Sequence, residues 1–166
     1  MQSLFEQDTQ LWERFREEAE SWLGTPYRHL QRCKGRGADC TLFVGEVLLQ
    51  TGLLTKLEYG YYPRDWHQHT QDEYVLEGAY HHIQTYMRPG VTVEIMPPAT
   101  PLQRGDWLAF STTDRKVSNH CGLVWPDASG TLSRLLHAIN ERGVSFTPLG
   151  NWWLRRMTRH FRIVSL

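Results

Sequence analysis

Cys40 is the residue of this chain whose position best suits covalent chemistry. It stands at the first turn of an apolar run over residues 40–50, directly after a loop that contains two glycines. The dipole and the unpaired N–H groups of a helix N-terminus favour the thiolate, which is the nucleophilic form of cysteine. The same N–H groups can receive the oxyanion that forms when a thiolate attacks a carbonyl. The alternative interpretation is that Cys40 is a small core residue.

Two histidines could complete a nucleophilic site with Cys40. His120 opens the segment HCGLVW, and His137 lies in the following segment LLHAI. A cysteine nucleophile needs a base within hydrogen-bond reach, and the base needs a third group that orients it. Cross-strand neighbours lie about 5 Å apart, so antiparallel pairing of the two segments would put His120 and His137 side by side. A Cys-His-His arrangement is therefore geometrically possible.

Metal binding is the alternative for these residue types. A zinc site would have to combine Cys33, Cys40, His120 and Cys121. That spacing is unusual for zinc, and adjacent strand residues point to opposite faces, so we expect neither a metal nor a cofactor. Histidines at 67, 69, 81 and 82 are interpreted as solvated or partly packed, with metal binding or pH sensing as the alternative. An odd cysteine count without an export signal argues against a disulfide framework.

The elements that must position these residues change character along the chain. Apolar residues at helical spacing predict helices over about residues 3–23 and 71–88, and the all-round apolar run 40–50 predicts a buried helix. Six short β-rich segments follow from residue 91, and a short helix around 149–157 interrupts them. Helices first and strands later predict an α+β fold with an antiparallel sheet.

Length and composition suit one compact domain over residues 1–166. The chain is 40% hydrophobic, 12% aromatic and 22% charged, which is typical of a soluble globule. Its 18 basic residues balance 18 acidic ones, so no overall field would attract nucleic acid or a membrane surface. One local cluster is basic, and we interpret it as a solvated face with some carboxylate contacts, with a substrate-carboxylate or partner site as the alternative: Arg155, Arg156, Arg159 and Arg162.

The beginning of the chain carries no recognisable secretory signal. The segment MQSLFEQDTQLWERF has neither a positively charged n-region nor an apolar h-region. No stretch approaches the roughly 20 apolar residues of a membrane span. We therefore expect a protein that is cytoplasmic as encoded and that reaches the outside only by another export route.

Five sequence blocks in a fixed order resemble the NlpC/P60 family. They are GTPY (24–27), GADCTLFV (37–44), RGDWLAF (104–110), NHCGLV (119–124), and LHA (136–138) followed by GV (143–144). They match the family patterns G-x-P-Y, G-x-D-C-S-x-F-V, P-G-D-L, H-V-G-I-Y and H-A…G-V. Together they cover about residues 20–150, and their order makes the match more specific than any one block.

The resemblance implies the fold and the catalytic residues. In a papain-like core of this kind, N-terminal helices that include the nucleophile helix pack on a five- or six-stranded antiparallel sheet. The matched positions imply Cys40 as nucleophile, His120 as general base and His137 as the third, orienting residue.

Three further residues are implied in substrate or oxyanion binding. Tyr27 matches the tyrosine near the family's active site. Asp39 matches the acidic residue before the nucleophile, for which a structural role and the binding of a substrate amine remain equally open. Thr41 replaces the usual serine and keeps its hydroxyl. Cys121 stands where the family has a small apolar residue.

The implied activity is that of a cysteine endopeptidase acting on peptidoglycan peptides. The family typically hydrolyses γ-D-glutamyl–diamino acid bonds, or related amide bonds, through an acyl-enzyme. Acyltransferase or thioesterase chemistry on the same Cys-His site is one alternative, and a non-catalytic phage-tail-like assembly module is another. Residues 55–90 form a longer segment than in the smallest members, similar to NlpC/P60-like proteins encoded with phage tails and gene-transfer agents. Without a recognisable wall-binding repeat, targeting would require a partner such as a tail-like assembly.

Overall fold

A computed structural model describes all residues, 1–166, as six helices and eight strands. The helices are α1 Leu4–Gln7, α2 Thr9–Glu20, α3 Cys40–Gln50, α4 Trp66–His69, α5 Tyr74–Tyr86 and α6 Asn151–Leu154. The strands are β1 Arg32–Cys33, β2 Gly37–Ala38, β3 Val91–Ile95, β4 Trp107–Phe110, β5 His120–Trp125, β6 Arg134–Ile139, β7 Gly143–Pro148 and β8 Met157–Ser165. None of the helices is long and apolar enough to cross a membrane.

Six of the strands form one antiparallel sheet in the order β3-β8-β4-β5-β6-β7. The predicted α+β class is therefore confirmed, and the sheet has six strands. Strands β4 to β7 follow one another in space as they do in sequence, whereas β8 returns to lie between β3 and β4. The central position of β5 places its first residue, His120, well inside the width of the sheet.

The N-terminal helix predicted over residues 3–23 is two helices. The chain leaves helical geometry at Asp8, which has an extended backbone (φ −123°, ψ 93°) and ends α1. The Asp8 carboxylate accepts a hydrogen bond from Leu11 N–H at 2.9 Å and so caps α2. The expected single helix was wrong because the apolar periodicity continues across a residue whose side chain competes with the backbone for N–H groups.

Helix α3 is buried between α2 and the sheet. Eight of its eleven residues are buried, among them Phe43, Val44 and Val47, as its apolar character on all sides predicted. They join a core of 23 residues that includes Phe15 and Trp12 of α2 and the sheet residues on the same side. A helix held from two sides cannot shift along its axis without breaking close packing. The position of its N-terminus is therefore fixed relative to the strands.

The two faces of the sheet bury different clusters. Cys121, Leu123 and Trp125 of β5 point to α3, and we call this side the helix face. Alternate residues point to the opposite side, the far face, where Phe110 and Val124 form a smaller cluster with other strand residues beneath Trp153 of α6. This alternation follows from the two-residue period of a strand.

A buried ionic group ties β4 to β8. The Asp106 carboxylate accepts hydrogen bonds from Arg162 (2.9 and 2.7 Å), and its Oδ2 lies 2.6 Å from His160 Nε2. Arg162 is only 1% exposed, so this member of the basic cluster does not belong to a solvated face. Burial raises the pKa of Asp106, but the hydrogen bonds from Arg162 and His160 outweigh burial and hold the pKa below its ordinary value.

We expect Asp106→Asn to lower the free energy of unfolding by about 3 kcal/mol, because it leaves Arg162 as an uncompensated buried cation. The depressed pKa of Asp106 stabilises the fold above the ordinary carboxyl pKa of about 4, and this stability is lost as pH falls through the lower, folded-state pKa. Urea unfolding between about pH 7 and about pH 2 measures both effects. The difference in unfolding free energy between wild type and Asp106→Asn should become smaller as the pH falls. Exposed Asp114→Asn is the control. A difference that does not depend on pH would contradict this account.

Candidate active site

The N-terminus of α3 is fixed by Asp39, its N-cap residue. Asp39 Oδ1 accepts hydrogen bonds from Leu42 N–H (2.9 Å) and from the Thr41 hydroxyl (3.0 Å), and Oδ2 accepts from Leu30 N–H (2.9 Å). The Asp39 carbonyl accepts a hydrogen bond from the N–H of Phe43. The N–H groups of Cys40 and Thr41 then have no partner within the helix. All three contacts of the carboxylate are structural, which favours the structural interpretation of Asp39.

The Cys40 thiol lies beside a second thiol. Cys40 is 5% exposed, and Cys121 donates its S–H to the Cys40 carbonyl at 3.4 Å. With its proton turned away, the Cys121 sulfur presents lone pairs to Cys40 and disfavours negative charge there. The pKa of Cys40 is raised well above its ordinary value, first by Cys121 and then by burial, whereas His120 lowers it. The neutral thiol is therefore the stable form, and formation of a thiolate requires proton transfer to a base.

His120 and His137 lie side by side, as expected, with ring centroids 5.0 Å apart. His120 Nε2 is 2.7 Å from His137 Nδ1. Leu123 pairs with Leu136, so the residue opposite His137 is Gly122, and His120 is its diagonal neighbour. A Cβ at Gly122 would lie 2.9 Å from the His137 Cβ. The absence of a side chain at Gly122 thus gives His137 the room in which the pair forms.

The hydrogen-bonded pair continues to Thr147 of β7. His137 Nε2 is 2.7 Å from Thr147 Oγ1, and the three residues step diagonally across β5, β6 and β7 on the far face. Burial lowers the pKa of His137 to about 2, and the neighbouring His120 and Arg142 act in the same direction. His137 is therefore neutral near pH 7. If its Nε2–H donates to Thr147, its Nδ1 accepts from His120 Nε2–H, and His120 Nδ1 is left unprotonated as a base.

Trp153 covers the histidine pair on the far face. Its ring centroid lies 5.4 Å from that of His120 and 5.2 Å from that of His137, and it packs edge-on against Phe110 at 5.0 Å. His137 is fully buried beneath it. A hydrogen bond shielded from water in this way is stronger than an exposed one.

Cys40 and His120 line one cleft of about 460 Å³. Tyr27 and Asp39 line the same cleft, and the 55–90 segment supplies a wall that includes Tyr62 and Arg64. His137 stands behind His120 and does not reach the cleft surface. The structure thus brings together the three residues expected to act in catalysis, together with two of the three expected to bind substrate or oxyanion.

Tyr27 and Thr41 differ in their relation to the cleft. Tyr27 is half-buried, its hydroxyl has no hydrogen-bond partner within the protein, and burial followed by the charges of Cys40 and Asp39 raises its pKa. Its neutral hydroxyl can donate to a ligand. The Thr41 hydroxyl donates to Asp39, and Thr41 lines a separate cavity on the other side of Tyr62.

That second space is apolar. It has a volume of about 290 Å³ and lies between α3, α5 and the chain around residues 54–62, with Leu48 and Ile83 among its walls. Tyr62 and Val75 border both this cavity and the cleft. The Tyr62 ring stacks on Tyr74 at 5.4 Å and meets Trp66 edge-on at 5.1 Å, where it borders both spaces.

Comparison with solved structures shows a shared overall architecture. An NLP/P60-family protein similar to a lipoprotein, from Staphylococcus aureus, has a TM-score of 0.58 at 18% identity over 96% of this chain and 43% of its own. An NlpC/P60-family protein from Bacillus cereus has a TM-score of 0.54 at 18% identity over 89% and 38%. The NlpC/p60 domain of the peptidoglycan hydrolase SagA has a TM-score of 0.50 at 18% identity over 93% and 97%.

The chain has the NlpC/P60 fold. The resemblance drawn from the sequence blocks is thus confirmed at the level of architecture. The chain spans less than half the length of the Staphylococcus aureus and Bacillus cereus proteins and nearly all of the SagA domain. No family model and no curated protein sequence matches it. On this NlpC/P60 fold α3 is buried against the sheet, and His120 lies on a central strand.

The other cysteine and histidine residues do not assemble into a metal site. No three His, Cys, Asp or Glu side chains are grouped so that they could hold a metal ion. Cys33 is exposed, whereas Cys40 and Cys121 are buried. His69 pairs with Asp65 at 2.9 Å, and His82 accepts from Glu58 N–H at 2.9 Å, so both have local partners on the 55–90 segment.

Sequence reasoning missed three contacts of this site. The Cys121 contact with Cys40 could not be predicted, because the sequence does not state which side of β5 faces α3. Thr147 gave no signal, since a threonine in a strand is common. Trp153 was predicted only to lie in a short helix, and the residues next to it in the sequence do not indicate that it covers the histidines. Each depends on which strands are neighbours, which the local sequence does not state.

We expect Cys121→Val to increase the reactivity of Cys40. Removal of the neighbouring sulfur takes away the largest cause of the raised pKa, so more thiolate is present at neutral pH and alkylation by iodoacetamide should accelerate by about three- to tenfold. The rate is measured by mass spectrometry against pH in a Cys33→Ser background, which removes the exposed thiol. The midpoint of the pH profile should move to lower pH; an unchanged midpoint would show that Cys121 does not control Cys40.

Proposed function

We propose that the chain is a cysteine peptidase that hydrolyses amide bonds in peptidoglycan peptides. The observation that carries the proposal is the cleft that Cys40 and His120 share, with His120 held by His137 at 2.7 Å. The NlpC/P60 fold and the SagA neighbour, a peptidoglycan hydrolase, support the substrate class. A peptide segment is a suitable ligand for a cleft lined by aromatic side chains and a few polar groups.

The proposed reaction begins with transfer of the Cys40 proton to His120 Nδ1. The thiolate attacks the carbonyl carbon, and the N–H group of Cys40 at the start of α3 receives the developing oxyanion. His120 returns the proton to the leaving amine as the C–N bond breaks, which leaves an acyl-enzyme. Water then attacks the thioester with His120 again as base, and the Cys40 thiol is regenerated. His137 holds the ring of His120 throughout and stays neutral.

The specific bond we propose is the γ-D-glutamyl–diamino acid amide. This follows the match of residues 24–44 and 119–138 to the NlpC/P60 blocks. Access to such a substrate requires delivery across the envelope, for which a phage-tail-like or other partner remains a prediction.

Digestion of defined muropeptides that carry this bond, followed by mass spectrometry, tests the proposal. Wild type should release the two expected fragments, and Cys40→Ala should lower the rate by at least about a thousandfold, because no acyl-enzyme can form. Cys33→Ala, which removes an exposed cysteine, is the matched control and should cut normally.

The negative outcomes differ in meaning. If no variant cuts while Cys40 is still alkylated rapidly by iodoacetamide, the substrate class is wrong and the nucleophile stands. If Cys40 is also inert, the catalytic proposal fails, and an interaction module without activity becomes the better account.

Acyl transfer is a second candidate function because of the apolar cavity. The cavity of about 290 Å³ lies against the nucleophile helix and has Tyr62 as a border in common with the cleft. An acyl chain is the kind of group that such walls bind, with about 0.8 kcal/mol gained for each methylene buried. On this alternative, Cys40 attacks a thioester carbonyl, the donor thiol leaves, and the acyl group passes to an amine or to water.

Acetyl, hexanoyl and decanoyl thioesters of one thiol distinguish the two candidates. If acyl chains enter the cavity, the rate of Cys40 acylation should rise by at least about tenfold from acetyl to hexanoyl. Ala79→Leu, which narrows the cavity on α5, should reduce that preference. Equal rates for the three donors would eliminate the acyl-transfer candidate and leave the peptidase proposal unaffected.

A further inference from the structure

The 55–90 segment supplies one wall of the catalytic cleft. Tyr62, Arg64, Trp66, His67 and Val75 all line it, opposite the sheet residues. Tyr62, Trp66 and Tyr74 contact one another through their rings, which holds the wall together. The groups that this wall presents therefore face any substrate that reaches Cys40.

Arg64 is the only permanent cation among the cleft residues. Its guanidinium lies over the ring of Tyr27, with 5.5 Å from Cζ to the ring centroid. It forms no ion pair with any carboxylate of the chain. The one carboxylate in the cleft, Asp39, is instead engaged by its three hydrogen bonds at the start of α3. The cleft thus presents an oriented positive charge without a negative partner.

His67 adds a neutral polar group to the same wall. Its Nδ1 is buried and has no hydrogen-bond partner. Burial lowers the pKa of His67, and although Asp65 acts in the opposite direction, the net shift is downward. The ring is therefore neutral near pH 7 and offers one N–H donor. His67 and the unpaired guanidinium of Arg64 thus lie on the same wall of the cleft, where a ligand carboxylate would meet both residues.

We propose that Arg64 and His67 form a carboxylate-binding subsite of the cleft. This inference rests on the proposed peptidase function and deepens it by assigning a substrate group. When D-glutamate is linked through its γ-carboxyl, its α-carboxylate remains free close to the scissile amide. Arginine binds carboxylates through a planar pair of N–H groups, and the Tyr27 ring pre-orients that plane. Substrates with a free α-carboxylate are therefore preferred over α-amidated ones.

Two substrates that differ only at this group test the subsite. One carries the free α-carboxylate of γ-linked D-glutamate, and the other carries the α-amide in its place. Cleavage of each substrate is measured with wild type, Arg64→Gln and Arg14→Gln under the same conditions. Arg14 is the matched control, since it is exposed on α2, lies outside the cleft and forms no ion pair.

Wild type should prefer the carboxylate substrate by about tenfold in kcat/KM, mainly through a lower KM. A tenfold preference corresponds to the free energy of one partly exposed charge-assisted hydrogen bond. Arg64→Gln should reduce this preference to about twofold or less, whereas Arg14→Gln should keep it. A wild type that cuts both substrates equally, or an Arg64→Gln variant that retains the preference, overturns the subsite while the peptidase function stands. A wild type that cuts neither substrate overturns the proposed function, and the subsite with it.

Binding to the inactive Cys40→Ala variant gives a second measurement that does not depend on turnover. Titration calorimetry with the carboxylate and amide peptides should show about tenfold tighter binding of the carboxylate form. The difference should disappear when Arg64→Gln is added to Cys40→Ala. Equal dissociation constants for the two peptides would leave Arg64 with no role beyond packing on Tyr27 and would refute the subsite.

Discussion

The Asp39 carboxylate is the interaction on which the geometry of the site depends. Its two oxygens accept hydrogen bonds from the N–H of Leu42, the hydroxyl of Thr41 and the N–H of Leu30. One buried group therefore joins the first turn of α3 to the preceding loop. A cap of this kind contributes about 1 kcal/mol to helix stability. Its larger effect here is positional, because it prevents the end of α3 from fraying where the thiol must stay aligned with His120.

The histidine pair depends equally on the register of the sheet. His120 and His137 face away from α3 because Leu123 and Leu136, which pair across β5 and β6, bury their side chains in the core. A slip of one residue in either strand would turn the histidine of that strand toward the core and its leucine away from it. The apolar pattern that folds the sheet therefore also sets the hydrogen bond between the two imidazoles.

The local sequence pattern was sufficient to predict several elements of this molecule, but it did not predict contacts between distant residues. The bounds of α3 and β5 and the proximity of His120 to His137 follow from periodicity and from consecutive pairing of strands. The break at Asp8 escaped prediction because capping competes with a continuous apolar stripe. Arg162 was interpreted as exposed because its partner, Asp106, lies 56 residues earlier, and a separation of this size leaves no trace in local composition.

Tyr62 borders two spaces at once, since the same ring lines the cleft of Cys40 and His120 and the apolar cavity. Any substitution there changes the volume of both spaces. A smaller side chain would merge them into one elongated channel that begins at the thiol and ends among leucine side chains. On the function proposed above, one substitution at Tyr62 would thus open a cleft for polar peptides to acylated ligands, so this side chain keeps the two classes of ligand apart.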